Sequence, residues 1–496
     1  MGERFRKTAN LGRSRQMVGA MWTFLLSCAL IRCWVMPLRS GFFLDETGTY
    51  YVISGNWHQF LERMHVAIQS PIYCGMLWLV YHGIGSSELI LRAPSILAMG
   101  LAAFLLYRLT SHFIYPAAGL PATLIFITMP DVGHLAYLAR PYSVLIAVVL
   151  ASTWYFLRWI DTRHGLDGVV CILFLAAAFY SFPTCALMAI VYGLVVARED
   201  IIERTLPWKQ LALGAALLII LCLPIFPYYI SAARRASAFS FANTPPLIDF
   251  FEFLHGIGCA ASVLGVGVLY LIFSNVEWCP PPLSRRVGLL ISTWLILPPG
   301  ILLVIARLTS AKLFVPRYYA YNLPAAALVF ATLVCCLKQT RQRVTLVLVI
   351  ALSLAFSEWR GSPWLSKRVD WRETSNTLRQ QHLLKSTPVF IRSGFIEAKS
   401  LPWFKDQVRL GFLLAPTHAY PIPGDVVALP YEYSPEFDRY MANAVQGLAS
   451  QDEFFLVDGA NTESWRQWFL LRYGQTFESE TLESEHGAQV IRFRRR

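Results

Sequence analysis

Two adjacent carboxylates, Asp45 and Glu46, stand just beyond the first long apolar segment, in the run Phe42-Phe43-Leu44-Asp45-Glu46-Thr47-Gly48-Thr49-Tyr50-Tyr51. Carboxylates at the end of a membrane helix carry a desolvation cost, which makes them functional candidates by default. A carboxylate such as Asp45 can take a proton as a general base. Glu46 can assist it, position a substrate, or ligate a cation through carboxylate oxygen. Much later in the chain come Arg140 and Arg317, whose forked N–H donors suit an anionic ligand and phosphate oxygens in particular, with Tyr142, Lys312 and Tyr318 close by in sequence. Each has a plainer reading: Asp45 as a helix cap, the arginines snorkelling to lipid headgroups, and the tyrosines in an interfacial aromatic belt. His58, His65 and His134 have no zinc spacing and offer, with Glu46, only a conjectural metal site.

Such residues act together only if the elements between them bring them to one place. Of 496 residues, 55% are hydrophobic and 15% charged, a combination foreign to soluble domains. Apolar runs of about 15 to 22 residues recur, long enough to cross a bilayer as helices. The chain reads as a polytopic α-helical membrane protein. A net charge of +12 would suit nucleic acid in a soluble chain. Here Lys and Arg fall mostly in short loops, where they set topology, and nucleic acid is not indicated. The cysteines precede the polar tail and lie mostly in apolar runs without C-x-x-C spacing, which argues against a disulfide or metal framework.

Arg4, Arg6, Lys7, Arg13 and Arg15 precede the first apolar run and hold the N-terminus in the cytoplasm, with the first helix retained rather than removed as a signal peptide. Residues 50–64 mix aromatic and polar side chains and read as a juxtamembrane amphipathic helix. The stretch 71–85 is long enough only for a short span or an interfacial helix. If it does not span, later spans begin near Leu89, Pro116, Pro141, Asp167, Thr184, Gln210, His255, Val287, Tyr318 and Val344. Basic residues then divide about 16 inside to 8 outside, whereas a spanning segment would give about 11 to 13, the disfavoured split. The expectation is therefore about 11 spans plus juxtamembrane helices, with the C-terminus extracytoplasmic. Outer loops then include 130–142 with Arg140, 231–254 with Arg234 and Arg235, and 307–323 with Lys312 and Arg317. The basic residues of the last loop run against the topological bias and suggest an anion on the outer face. Past about Trp359, short runs such as Val389-Phe390-Ile391, Val426-Val427-Ala428-Leu429, Phe454-Phe455-Leu456-Val457 and Val490-Ile491-Arg492-Phe493 alternate with helical patterns. That alternation predicts a small α/β domain. We expect a transmembrane domain over 1–359 and an extracytoplasmic α/β domain over 360–496.

Six segments, in order, resemble the GT-C glycosyltransferases, in the branch of protein O-mannosyltransferases, lipid A aminoarabinose transferases and rhizobial lipopolysaccharide galacturonosyltransferases. Asp45-Glu46 with Tyr50 resembles that family's first-loop acidic motif, and Gln69-Ser70-Pro71-Ile72-Tyr73 its His-Pro-Pro-Leu-Tyr segment. Leu91-Arg92-Ala93-Pro94-Ser95 is similar to its Arg-Leu-Pro-Ser, and Ala139-Arg140-Pro141-Tyr142-Ser143 to its Glu-Ala-Arg-x-Tyr-Ser. Val315-Pro316-Arg317-Tyr318-Tyr319 and Asp370-Trp371-Arg372 resemble its Pro-Arg-Tyr and Asp-Trp-Arg elements. Leu138 replaces the acidic residue usual before Ala-Arg, with Asp131 the nearby carboxylate, and Gln69 replaces the usual His.

The resemblance implies an integral enzyme of the inner or plasma membrane that moves a hexosyl or pentosyl group from a polyprenyl-phosphate sugar to a hydroxyl of a glycolipid, polysaccharide or protein. Under it Asp45 is the base, assisted by Glu46, and Arg140, Arg317, Tyr142, Tyr318 and Lys312 bind the donor phosphate. No cofactor is certain, and a divalent metal stays open. Two other classes compete. A flippase for lipid-linked sugars would favour ionisable residues within several spans and paired repeats. A non-catalytic relative would keep the scaffold for binding alone.

Overall fold

The computed structural model describes residues 19–203, 208–236, 246, 277, 279, 283–309, 313–361, 369–460, 463–482 and 487–496. Among these, six helices are long and apolar enough to cross a membrane: Gly19–Arg39, Glu88–Phe113, Tyr142–Thr162, Lys209–Ala233, Arg285–Leu308 and Pro316–Cys335. Shorter apolar helices cover Pro116–Thr128, Gly165–Ser181 and Pro183–Arg198. The span expected near His255 lies outside the described residues, as do most of loop 231–254 and Lys312.

We label the opening helices α1 (Gly19–Arg39), α2 (Leu44–Ile53), α3 (Trp57–Ala67), α4 (Pro71–Gly83), α5 (Glu88–Phe113), α6 (Gly119–Thr128), α7 (Pro130–Tyr137) and α8 (Tyr142–Thr162). The single interfacial helix expected over 50–64 is two helices. The carbonyl of Tyr50 takes the amide of Ser54, and Asn56 restarts the chain by accepting the Gln59 amide at 3.0 Å while Gln59 reaches back to the Asn56 amide. Helix α4, 13 residues long, rises about 20 Å, short of the bilayer core. The span expected from Pro116 ends at Thr128, because Met129 takes the extended conformation favoured before a proline. Pro130 then opens α7, so the expected 130–142 loop is largely helical. All ten residues of α6 except Leu120 are buried, so it needs no lipid contact.

The C-terminal part is built on a five-stranded sheet of β1 (Pro388–Arg392), β2 (Asp425–Ala428), β3 (Glu453–Asp458), β4 (Phe477–Leu482) and β5 (Gln489–Arg495), ordered β2-β1-β3-β5-β4. β1 runs parallel to β2 and β3, while β5 is antiparallel to β3 and β4. The four apolar runs read from the sequence are β1, β2, β3 and β5. The edge strand β4, Phe-Glu-Ser-Glu-Thr-Leu, escaped that reading because only one of its residues is fully buried. Exposed charge is what a sheet edge needs to resist pairing with another chain.

This sheet domain is bolted to the junction of α1, α2 and α5. Asp370 caps the helix Trp371–Gln380 and also accepts the Gly41 amide at 3.1 Å, an approach that only a glycine permits, since a Cβ at position 41 would lie 2.2 Å from the carboxylate. Arg372 donates to Glu88 at 2.9 Å and to the Arg39 carbonyl at 2.6 Å. Tyr420 donates to Glu88 and receives the Phe42 amide. From the other side, Tyr51 of α2 enters the sheet domain's core beside Phe395 and Phe412 and donates to the Val408 carbonyl at 2.8 Å. We expect Tyr51→Ala to cost about 3–5 kcal/mol and Tyr51→Phe about 1 kcal/mol. Thermal unfolding of the purified protein measures both.

Candidate active site

Helix α2 begins at Leu44, which puts both carboxylates in its first turn, where the helix dipole favours negative charge. Their surroundings separate them. Glu46 is 1% exposed and Arg92, one turn into α5, is fully buried. Glu46 Oε1 accepts Arg92 Nε at 2.9 Å and the Ala139 amide at 2.7 Å, while Oε2 accepts Arg92 Nη2 at 2.7 Å and the Phe43 amide at 2.8 Å. A carboxylate offers about four lone-pair directions, and all are taken. Arg92 spends its other donors on the carbonyls of Leu38, Ser40 and Gly41. The pair ties the end of α1, the start of α2, α5 and the loop before α8 into one node. Because Glu46 holds the Phe43 amide, it supplies the end-cap that the sequence offered to Asp45.

Asp45 faces the other way. Its Oδ2 accepts Arg317 Nη1 at 2.8 Å, and its side chain is 26% exposed against 33% for Arg317. Burial raises the carboxyl, but Arg317 and then Arg140 outweigh it and hold Asp45 below the usual carboxylate range. Arg140 reaches the same helix turn, donating through Nη1 to Gln69 Oε1 at 2.7 Å, Thr49 Oγ1 at 3.2 Å and the Asp45 carbonyl at 3.3 Å. Tyr142 lies within electrostatic reach of both guanidinium groups, and Tyr318 within reach of Arg317 and Tyr142. The Tyr318 ring lies 5.8 Å from the Arg317 guanidinium carbon, with Phe182 5.2 Å behind it. A guanidinium pair, two phenols and a partly open carboxylate thus share one end of the helical bundle.

Asp45, Arg140, Arg317, Tyr142 and Tyr318 come together, and Glu46 adjoins them behind Asp45. Lys312 lies outside the described residues, as do the side chains of Arg234 and Arg235. Gln69 serves as acceptor for Arg140. Leu138 turns into the apolar core, 4% exposed, so that position supplies no carboxylate. Asp131 sits in the first turn of α7, its carboxyl pushed up by burial. Among the described residues no group of three or more His, Cys, Asp or Glu could hold a metal ion, and Glu46 has no oxygen to spare for one.

Two residues were missed as site members. Arg92 had a signal, since an arginine inside an apolar helix must find a buried partner. Glu397 had none. It sits in a short turn of the sheet domain, Ile396–Lys399, half-buried beside Asp45 and Arg317. Burial, with a smaller push from the Asp45 carboxylate, raises it to about 7 against the pull of its own backbone amide and of Arg317.

Comparison with known proteins agrees with this architecture. Residues 69–228 match the family model described as dolichyl-phosphate-mannose-protein mannosyltransferase. The structure is similar to that of ArnT from Cupriavidus metallidurans bound to undecaprenyl phosphate, at 12% identity and a TM-score of 0.52 over 95% of this chain and 97% of that one. It is similar also to apo ArnT from the same organism, at 12% identity and a TM-score of 0.53 over 96% and 98% of the two chains. No curated protein sequence matches the chain. The protein is an integral membrane protein with the GT-C glycosyltransferase fold and a small C-terminal sheet domain.

Removing one partner of a buried ion pair typically costs about 3–5 kcal/mol. We expect that loss for Glu46→Gln and for Arg92→Met, read as thermal destabilisation in detergent. Combining the two should not restore stability, because one of the Phe43 and Ala139 amides and the carbonyls of Leu38, Ser40 and Gly41 stay without their partners.

Proposed function

We propose that the protein is a glycosyltransferase that moves a sugar from a polyprenyl-phosphate carrier to an acceptor hydroxyl on the extracytoplasmic face. The observation that carries this reading is the convergence of Asp45, Arg140 and Arg317, separated by some 270 residues of sequence, with Asp45 and Arg317 in direct contact. A structure of similar fold that holds undecaprenyl phosphate supports a lipid phosphate as the donor's carrier.

In the resting site Arg317 neutralises Asp45. A donor phosphate competes for Arg317 with stronger, forked hydrogen bonds and draws on Arg140 as well, with Tyr142 and Tyr318 as further donors and Lys312 proposed as an additional cation. Asp45, relieved of its ion pair, becomes a better base. The acceptor oxygen attacks the anomeric carbon while Asp45 takes its proton, and the bond from that carbon to the phosphate oxygen breaks with inversion. The electron pair leaves on the polyprenyl phosphate, where the two guanidinium groups stabilise it. Glu46 acts by positioning: it fixes the first turn of α2 through Arg92 and the loop before α8 through Ala139, which sets Asp45 against Arg140. The N-terminus is cytoplasmic in this reading, and residues 360–496 form the extracytoplasmic domain beside a transmembrane domain over 1–359. A flippase is less well supported, because the charged residues of the site gather at one end of the bundle instead of along its spans.

Purified protein, supplied with a panel of polyprenyl-phosphate sugars, should consume one of them. Asp45→Asn should abolish turnover while binding undecaprenyl phosphate; normal turnover in that variant would sink the assignment. Arg140→Ala and Arg317→Ala each remove charge-assisted hydrogen bonds worth about 1.5–3 kcal/mol. Undecaprenyl phosphate should therefore bind about 10- to 100-fold more weakly, by the usual conversion of free energy to affinity.

A further inference from the structure

Pro298 and Pro299 stand side by side within the apolar helix Arg285–Leu308, one of the helices long enough to cross a membrane. In an α-helix each amide fills the carbonyl four residues earlier. Proline has no amide, and its ring pushes that carbonyl aside. The pair therefore strips the carbonyls of Trp294 and Leu295 of their partners within the helix, a heavy cost where no water reaches.

Both carbonyls are filled from another element. Asn322 is fully buried, and its Nδ2 donates to the Trp294 carbonyl at 2.8 Å and to the Leu295 carbonyl at 3.2 Å. A side-chain amide nitrogen has two donors, and both are spent here. Trp294 returns a bond from its Nε1 to the Tyr321 carbonyl at 3.0 Å. One side chain thus stands in for the two amides that the prolines removed, in a socket that an unbroken helix would keep closed.

Asn322 ends the stretch Pro316–Asn322, near whose start Arg317 lies. The backbone leaves helical geometry at Tyr319 (φ −122°, ψ 26°), so a regular ladder does not carry position through the stretch. Side chains hold it instead. Thr184 Oγ1 donates to the Tyr318 carbonyl at 2.5 Å and the Tyr321 hydroxyl donates to the Thr184 carbonyl at 2.8 Å, while Asn322 anchors the far end. At the near end Arg317 reaches Asp45 Oδ2. Any nearby donor could repair a proline kink; here the donor belongs to the stretch that delivers Arg317.

We propose that the diproline is a socket for Asn322, and that Asn322 is a positioning residue that seats Arg317 against Asp45. The proposal rests on the reading of Arg317 as a ligand of the donor phosphate. It goes beyond that reading by making the ligand's position depend on a neighbouring apolar helix.

The test uses the full-length purified protein with undecaprenyl phosphate as the probe. Asn322→Leu, similar in size but without donors, should weaken its binding about tenfold, the worth of one charge-assisted hydrogen bond. In the Arg317→Ala background the same substitution should change binding by less than about twofold, since the residue it positions is already gone. A general loss of structure would weaken binding in both backgrounds; that outcome, or wild-type binding in Asn322→Leu, overturns the proposal. The triple variant Pro298→Ala/Pro299→Ala/Asn322→Leu keeps the test decisive if Asn322→Leu does not fold. Its restored helix amides fill the Trp294 and Leu295 carbonyls, so it should unfold at a higher temperature than Asn322→Leu while binding stays about tenfold weak. Binding that recovers along with stability, or stability that does not rise, overturns the proposal as well. Arg317→Ala that binds as wild type does would instead overturn the phosphate reading of Arg317. Weak binding in Arg317→Ala with normal binding in Asn322→Leu overturns the positioning role alone.

Discussion

The buried Glu46–Arg92 pair is the constraint on which the site depends. Taking two charges out of water is costly, and their attraction repays that only when every remaining lone pair and proton is satisfied. Here all are: Glu46 makes four hydrogen bonds and Arg92 uses all five donors. Because the partners come from four separate segments, the pair cannot form until α1, α2, α5 and the loop before α8 have met. A nonspecific apolar core tolerates small shifts of one helix against another. A saturated ion pair does not.

That node explains how adjacent residues come to differ. Successive side chains on a helix point about 100° apart, so when Glu46 turns inward Asp45 is carried toward the opening. The same geometry sets the backbone of α2 against Arg140, which binds the Asp45 carbonyl and Thr49 rather than the Asp45 carboxylate. The carboxylate is left to Arg317, a contact that is partly exposed, in contrast to the fully buried pair behind it.

The sheet domain belongs to the same construction. Its attachment is polar and sequence-specific on one side, through Asp370, Arg372, Tyr420 and Glu88, and aromatic on the other, through Tyr51, Phe395 and Phe412. Both attachments flank α2. The domain is therefore fixed relative to Asp45.

Composition and apolar run length determined the membrane class, because a bilayer demands long uncharged helices whatever the fold. Alternating apolar runs likewise revealed four of five strands, and the motifs around Asp45, Arg140 and Arg317 were legible because each couples an unusual charge to a predicted helix end. Tertiary structure alone decided the rest. Which of two neighbouring carboxylates is buried depends on Arg92, 46 residues away, whose side chain pattern analysis registers only as one charge in an apolar run. Gln69 gains its role solely by meeting Arg140. Glu397 lies in a turn of ordinary composition, and nothing local distinguishes it from any solvated glutamate. Local sequence reports helix period, strand alternation and the cost of a charge in lipid; it carries no record of which distant side chain satisfies that charge.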